Sequence, residues 1–285
     1  NMWHYCVAGI HIALDVEKAP GLPRMINFEP FACEPAKPDL LYHMLPYPPD
    51  TRPVPPEDEM MLVSSDSMNS LYLSGDAVYK CVAMQSDDPR RMWFEQKIGR
   101  WDEATVYIPD NWLDYNGIGN ALSVEKTILP FGGLILHCSL IEWQGKGIMF
   151  SAPSQTGKST QANLWEKYRG AHIINGDRGL IRAVDGEIYA FGSPWAGSSS
   201  LYLNERVPVR AVVMLRQAKE NTIRRLDPSE ALGLFVQQSS LPVWQPELFE
   251  LGLATLEKIM QEVPMYELSC LPDEGAVECL EKCLK

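Results

Sequence analysis

Residues 151–160 read SAPSQTGKST, and the identity of this stretch decides the fold. On its N-terminal side lies an apolar run, GIMFS (147–151). On the other lies GKSTQANLWEKY (157–168), in which Ala162, Trp165 and Tyr168 recur three apart before Gly170. The short apolar run predicts a buried strand, and the period-three face ended by glycine predicts a helix. A polar turn between such a strand and such a helix is the setting of a phosphate-binding Walker A loop, G-x-x-x-x-G-K-[ST]. Here Gly157, Lys158 and Ser159 supply the second half intact, with Ala152 in place of the first glycine. In a loop of this kind the backbone of Ser154, Gln155, Thr156 and Gly157 curls round the phosphates. Lys158 then reaches the β- and γ-phosphates, and the Ser159 hydroxyl takes Mg²⁺. A lysine at a helix N-terminus opposes the helix dipole, a placement that a bound anion relieves.

Working outward, strand and helix signals alternate from about Leu134, the pattern of an α/β layer. LILHCSLIEW (134–143) precedes GIMFS across a turn at Gly145–Gly147, and AHII (171–174) is the next buried strand. LIRAVDGEIYAF (180–191) predicts a hairpin turning at Asp185–Gly186. VRAVVML (209–215) predicts a strand. DPSEALGLFVQQ (227–238) predicts a helix capped by Asp227, with Glu230 closing a capping box. A longer helix is expected over 246–262, then a strand at MYELSC (265–270) and a last helix capped by Asp273.

The first 125 residues differ in texture. YCVAGIHIALDV (5–16) and ATVYIPDNW (104–112) are β-like, and LYLSGDAVYKCVA (71–83) predicts a hairpin around Ser74, Gly75 and Asp76. MLPYPPDTRPVPPEDE (44–59) holds six prolines, which excludes a helix or a central strand. The expected organisation is a β-rich N-terminal domain over 1–125, of unassigned role, and a nucleotide-binding α/β domain over 126–285.

Composition limits the partners. The chain has 285 residues, 46% hydrophobic, with a formal net charge of −12. That charge disfavours a general nucleic-acid or anionic-membrane surface. No apolar run approaches a membrane span, and the expectation is a cytoplasmic protein. Seven cysteines, odd in number, scattered and without C-x-x-C, read as neither a disulfide framework nor a zinc site. Only Cys279 and Cys283, four apart, share a helix face.

HCSLIEWQGKGIMFSAPSQTGKSTQANLWEKYRGAHIINGDRGLI (137–181) resembles the HPr kinase/phosphorylase and ATP-dependent phosphoenolpyruvate carboxykinase superfamily. The order of a histidine-led strand, loop, helix and acidic strand end carries the likeness. The resemblance is good over residues 134–182 and looser to the C-terminus, and it implies a P-loop α/β fold of that type. It implies that Thr160 contacts the α-phosphate, that His137 lies near the reacting phosphoryl group, and that Asp177 serves as metal ligand or base. Arg178, adjoining Asp177, would supply charge for the transition state. Arg206 and Arg210 are weaker candidates for that role. GSPWAGSSS (192–200) is a candidate acceptor-side loop.

Three departures stand out. The superfamily has two adjacent aspartates where this chain has Gly176 then Asp177, and it commonly has glycine at the position of Gln155. The arginine- and glycine-rich loop that supports phosphorolysis is missing. The expected function is an ATP-dependent, Mg²⁺-requiring kinase acting on a hydroxyl acceptor, either a protein or peptide serine or a small metabolite, with Ser159 and Asp177 on the metal. The alternative is a non-catalytic nucleotide-binding regulatory module that recognises a protein partner. Homo-oligomerisation is compatible with either.

Overall fold

The computed structural model describes residues 1–83, 88–110, 117–153, 157–195 and 200–285. The chain divides into two compact units, 1–127 and 128–285.

The first unit is built on one sheet. β1 (Met2–Val7) and β2 (Ile10–Asp15) form a hairpin. Its two loop residues, Ala8 and Gly9, have φ of 53° and 75°, the left-handed pair that suits strand twist. A 3₁₀ turn over Ile26–Phe31 leads to β3 (Leu40–Tyr47), β4 (Met61–Ser65), β5 (Asn69–Ser74), β6 (Ala77–Ala83), β7 (Arg91–Lys97) and β8 (Glu103–Pro109). The strand order is β1-β2-β3-β8-β7-β6-β5-β4, with β3 parallel to both of its neighbours. The hairpin expected at Ser74–Asp76 is β5–β6, where Ser74 pairs with Ala77. The one-turn helices α1 (Ile118–Ala121) and α2 (Val124–Thr127) end the unit. Lys80 of β6 donates to the Asn120 carbonyl at 2.9 Å and pairs with Glu125 at 3.2 Å.

The proline-rich stretch departs from expectation, because its first four residues, Met44–Tyr47, belong to β3. Pairing with β2 ends at His43 while pairing with β8 continues through Pro46 and Tyr47. Past His43 the strand therefore has an open side for the N–H that Pro46 lacks. Cys6 and Cys33, which the sequence leaves far apart, come to lie beside His11.

The second unit is mixed α/β. Its elements are β9 (Gly133–Trp143), β10 (Lys146–Ser151), α3 (Lys158–Arg169), β11 (His172–Asn175), β12 (Arg178–Val184), β13 (Glu187–Phe191), β14 (Arg206–Gln217), β15 (Thr222–Arg225), α4 (Pro228–Val236), α5 (Pro246–Glu262), β16 (Met265–Cys270) and α6 (Glu274–Glu281). Two long strands change neighbours along their length. β9 pairs with β12 through Gly133–His137 and with β10 through Cys138–Trp143. β14 pairs with β13 first and with β10 further on. The ladder β10-β9-β12-β13-β14 thus returns to β10, and β14 continues in parallel to β16. One face is sealed by α3 and α6, with Phe150, Ala162, Trp165, Leu268 and Val277 in a single apolar cluster. Against the other face, Leu256 and Ile259 of α5 share an apolar pocket with Leu134, Leu136 and Ile181. Burial on both faces is why the later part of β10 and Ala211–Leu215 of β14 read as apolar runs.

Four local expectations shift. The β9–β10 turn is Gln144–Gly145, both left-handed, and Gly147 already lies in β10. An added Cβ at Gly147 would stand 2.7 Å from Val207 Cγ1, so that glycine serves close strand approach rather than turning. AHII forms an edge strand, β11, paired among the described residues only with β9 and exposed at His172. β15 was not anticipated, because an exposed edge strand carries little apolar pattern. At α4 Asp227 accepts the Glu230 N–H at 3.0 Å, but the Glu230 carboxylate pairs with Arg224 at 2.8 Å, so only half the capping box forms. Among the described residues no helix is long and apolar enough to cross a membrane.

Candidate functional site

His137 sits where β9 passes from β12 to β10. Its register partner on β12 is Arg178, so both side chains rise from one face of the sheet. Just before β12 the chain turns through Asn175, Gly176 and Asp177. The Asn175 Oδ1 accepts the N–H groups of Asp177 at 2.9 Å and Arg178 at 2.7 Å, an Asx turn. The Asp177 carbonyl accepts the Cys138 N–H at 2.9 Å, which ties the turn to β9. These constraints set Asp177 Oδ1 2.9 Å from His137 Nε2.

Lys158 is the first residue of α3. Gly157 before it has φ of 91°, which glycine adopts without strain. The Lys158 Nζ lies 3.1 Å from Nε2 and 3.2 Å from Nδ1 of His137. The ammonium therefore rests against the N–C–N side of the ring and is not committed to one lone pair. Lys158 is only 6% exposed, although its charge would ordinarily seek water.

The electrostatics follow from this packing. The His137 hydrogen bond holds the Asp177 carboxyl below the usual carboxylate range against the opposing effect of burial, with further help from the Arg178 and Lys158 charges. Burial lowers the Lys158 ammonium, partly offset by Asp177. Burial pushes the neighbouring Cys138 thiol up to about 12, which disfavours the thiolate form. Two cations stand against one carboxylate at the N-terminus of a helix, a balance that favours an anion.

Two buried residues, Asn175 and Ser193, the second within the candidate acceptor-side loop, position the cluster. The Asn175 Nδ2 donates to Ser193 Oγ at 3.3 Å, and the Trp195 N–H donates to the same oxygen at 3.1 Å. The Ser193 hydroxyl has the Trp195 carbonyl at 2.8 Å and the Arg178 carbonyl at 3.0 Å as acceptors. The start of the GSPW segment is thereby fastened to the turn that presents Asp177. The sequence signals are the composition NGD at a strand end for Asn175 and the small-residue loop GSPWAGSSS for Ser193. Ser151 at the end of β10 donates to the His137 carbonyl at 2.7 Å.

Of the expected site residues, His137, Asp177, Lys158 and Arg178 come together, with Arg178 Nε 3.6 Å from Asp177 Oδ2. Gly157 precedes the helix, and Ser159 and Thr160 are exposed on its first turn. Ser154, Gln155 and Thr156 lie outside the described residues, as does 196–199 of the candidate acceptor loop. Arg206 and Arg210 are engaged elsewhere: Arg206 stacks 4.3 Å over the Tyr189 ring, and Arg210 donates to the Leu284 carbonyl.

Comparison with known proteins gives a sequence-level family match. The family described as "SynChlorMet cassette protein ScmC" matches residues 118–284. No curated protein matches the chain. Among solved structures, the Hpr(Ser) kinase/phosphatase from Coxiella burnetii is similar at 10% identity and a TM-score of 0.32, over 52% of this chain and 86% of that one. A likeness of that size is weak and carries no argument about this chain.

Proposed function

The chain belongs to the ScmC family of SynChlorMet cassette proteins, and for its second unit we propose an ATP-dependent, Mg²⁺-requiring kinase that moves a phosphoryl group to a hydroxyl acceptor. The acceptor is a serine of a protein or peptide, or a small hydroxylated metabolite. The observation that carries this reading is the buried Lys158 ammonium at the N-terminus of α3, held against an imidazole whose other partner is a carboxylate.

The residues divide the work. Lys158 and the N–H groups opening α3 hold the polyphosphate. The Ser159 hydroxyl and the Asp177 carboxylate are hard oxygen donors of the kind Mg²⁺ takes, so the residues fit that ion. When bound, Mg²⁺ neutralises charge on the phosphate oxygens. Asp177, kept ionised, accepts the proton of the attacking hydroxyl at Oδ2, while His137 fixes its orientation through Oδ1. Arg178 meets charge that develops on the transferred group.

A second reading has a specific observation in its favour. Gly176 stands where the resembled superfamily has a first aspartate, which leaves one carboxylate for two duties. On that reading the unit binds nucleotide without turning it over, and the protein reports nucleotide state to a partner. Single-turnover loss of the γ-phosphate from Mg²⁺-ATP, in the wild type and Asp177→Asn, separates the two. Loss that the variant abolishes supports the kinase. Unchanged binding with no loss in either protein supports the module.

A further inference from the structure

The first unit holds a cluster with no part in the nucleotide reading. In the β1–β2 hairpin Cys6 is the register partner of His11, and His4 pairs with Ala13. Alternation puts His4, Cys6 and His11 on one face of the hairpin. A third strand-like segment then arrives: Ala32 bridges Tyr5, and the Cys33 N–H donates to the His4 carbonyl at 3.1 Å. This brings a second thiol to the same place. The Cys6 Sγ is 3.8 Å and the Cys33 Sγ 3.9 Å from His11 Nδ1. All three donor atoms lie within 4.8 Å of one another.

We propose that Cys6, His11 and Cys33 form a binding site for zinc or a zinc-like thiophilic divalent ion, with the fourth coordination position open to solvent or an external donor. Two thiolates and one imidazole suit a soft, tetrahedral ion and not Mg²⁺ or Ca²⁺. The spacing also suits it. With zinc about 2.3 Å from sulfur and about 2.0–2.1 Å from nitrogen, tetrahedral angles separate the N and S donors by roughly 3.6 Å. The observed nitrogen–sulfur separations of 3.8 and 3.9 Å exceed that by only a few tenths of an ångström.

The imidazole is also oriented for the task. His11 Nε2 lies 2.9 Å from His4 Nδ1, with the rings edge to face. When His11 donates its proton there, the Nδ1 lone pair is left facing the two sulfurs. A metal-binding histidine is commonly fixed in this way through its second nitrogen. Cys6, His11 and Cys33 are all half-buried, which leaves an approach for the ion and room for a fourth ligand. Such an ion would staple the segment carrying Cys33 to the hairpin, where one isolated bridge and its flanking hydrogen bonds now attach it. The spacing of five residues and then twenty-two matches no zinc motif; only hairpin register and the Tyr5–Ala32 bridge reveal the cluster.

The test uses the full chain, reduced and stripped with a chelator, then titrated with Co²⁺ as a spectroscopic probe and with Zn²⁺ in competition. The proposal expects one equivalent of Co²⁺ to give a thiolate charge-transfer band and tetrahedral d–d bands that Zn²⁺ bleaches. Zn²⁺ should also raise the melting temperature. Cys6→Ser and Cys33→Ser should each remove the charge-transfer band while far-UV circular dichroism stays unchanged. Cys283→Ser, at the exposed thiol, should leave it intact. His4→Ala should keep the stoichiometry and weaken binding about 10–100-fold. Absence of a thiolate band in the reduced wild type, or a band that survives Cys33→Ser, overturns the site.

Discussion

His137 and Asp177 are 40 residues apart in sequence, yet the Nε2 of one and the Oδ1 of the other stand 2.9 Å apart. That contact depends on β12 pairing with β9 in a register that sets Arg178 opposite His137. His137→Ala removes the group that does most to keep Asp177 ionised. The loss of one partly exposed charged hydrogen bond should cost about 1 kcal/mol in urea unfolding. Direct titration should show the Asp177 carboxyl rising toward its ordinary value, and an unmoved carboxyl would contradict the assigned contact.

The sign of the acid response follows from the same shift. Asp177 has a folded pKa below its unfolded one. Its contribution to stability is therefore complete above the unfolded value, about 3.9, and fades as pH falls through the folded value. The difference in unfolding free energy between wild type and Asp177→Asn, followed from pH 7 downward, should shrink in that window. A difference that is flat with pH would show that the carboxylate gains nothing from its neighbours.

Lys158 gives the alkaline counterpart. Burial holds its ammonium below the ordinary lysine range. Affinity for Mg²⁺-ATP, which needs the charged form, should start to fall at a pH lower than the roughly 10.4 of a free lysine. Lys158→Arg, always charged, should flatten that fall. An affinity that holds level to pH 10 in the wild type would remove Lys158 from the phosphate contact.

Gly192 tests the support beneath the site. A Cβ there would lie 1.9 Å from the Leu203 carbonyl oxygen, a backbone atom that cannot swing aside. Gly192→Ala should destabilise by about 1–3 kcal/mol through overpacking. Gly186→Ala is a control in open space with φ of 82°, and should cost only about 1–2 kcal/mol from the left-handed backbone. Equal melting temperatures for Gly192→Ala and the wild type would mean that the segment is not held as described.

The strands and helices of the second unit were legible because most of its elements announce themselves locally. Period three over Ala162 and Trp165, glycine at 170, and Asp-Gly at 185–186 each act within one turn of chain. His137, Lys158 and Asp177 could be picked out by residue type and order. Their mutual contact could not, since it depends on where β9 changes neighbours. The positioning roles of Asn175 and of Ser193 in the GSPW loop were not legible, because a buried polar side chain looks like any loop residue until its partners are known. The same holds more strongly for Cys6, His11 and Cys33, whose spacing carries no periodic signal. In the first unit the proline count misled at Pro46, because local rules do not say where a neighbouring strand ends.

The most direct test of the central claim is calorimetric titration of Mg²⁺-ATP into the wild type and Lys158→Ala. The account predicts saturable one-site binding by the wild type and a loss of about 10–100-fold in the variant, as expected for removing a charged hydrogen-bond donor. Equal affinity in the two proteins, or no binding by the folded wild type, would contradict it and remove the phosphate-binding reading of the SAPSQTGKST stretch.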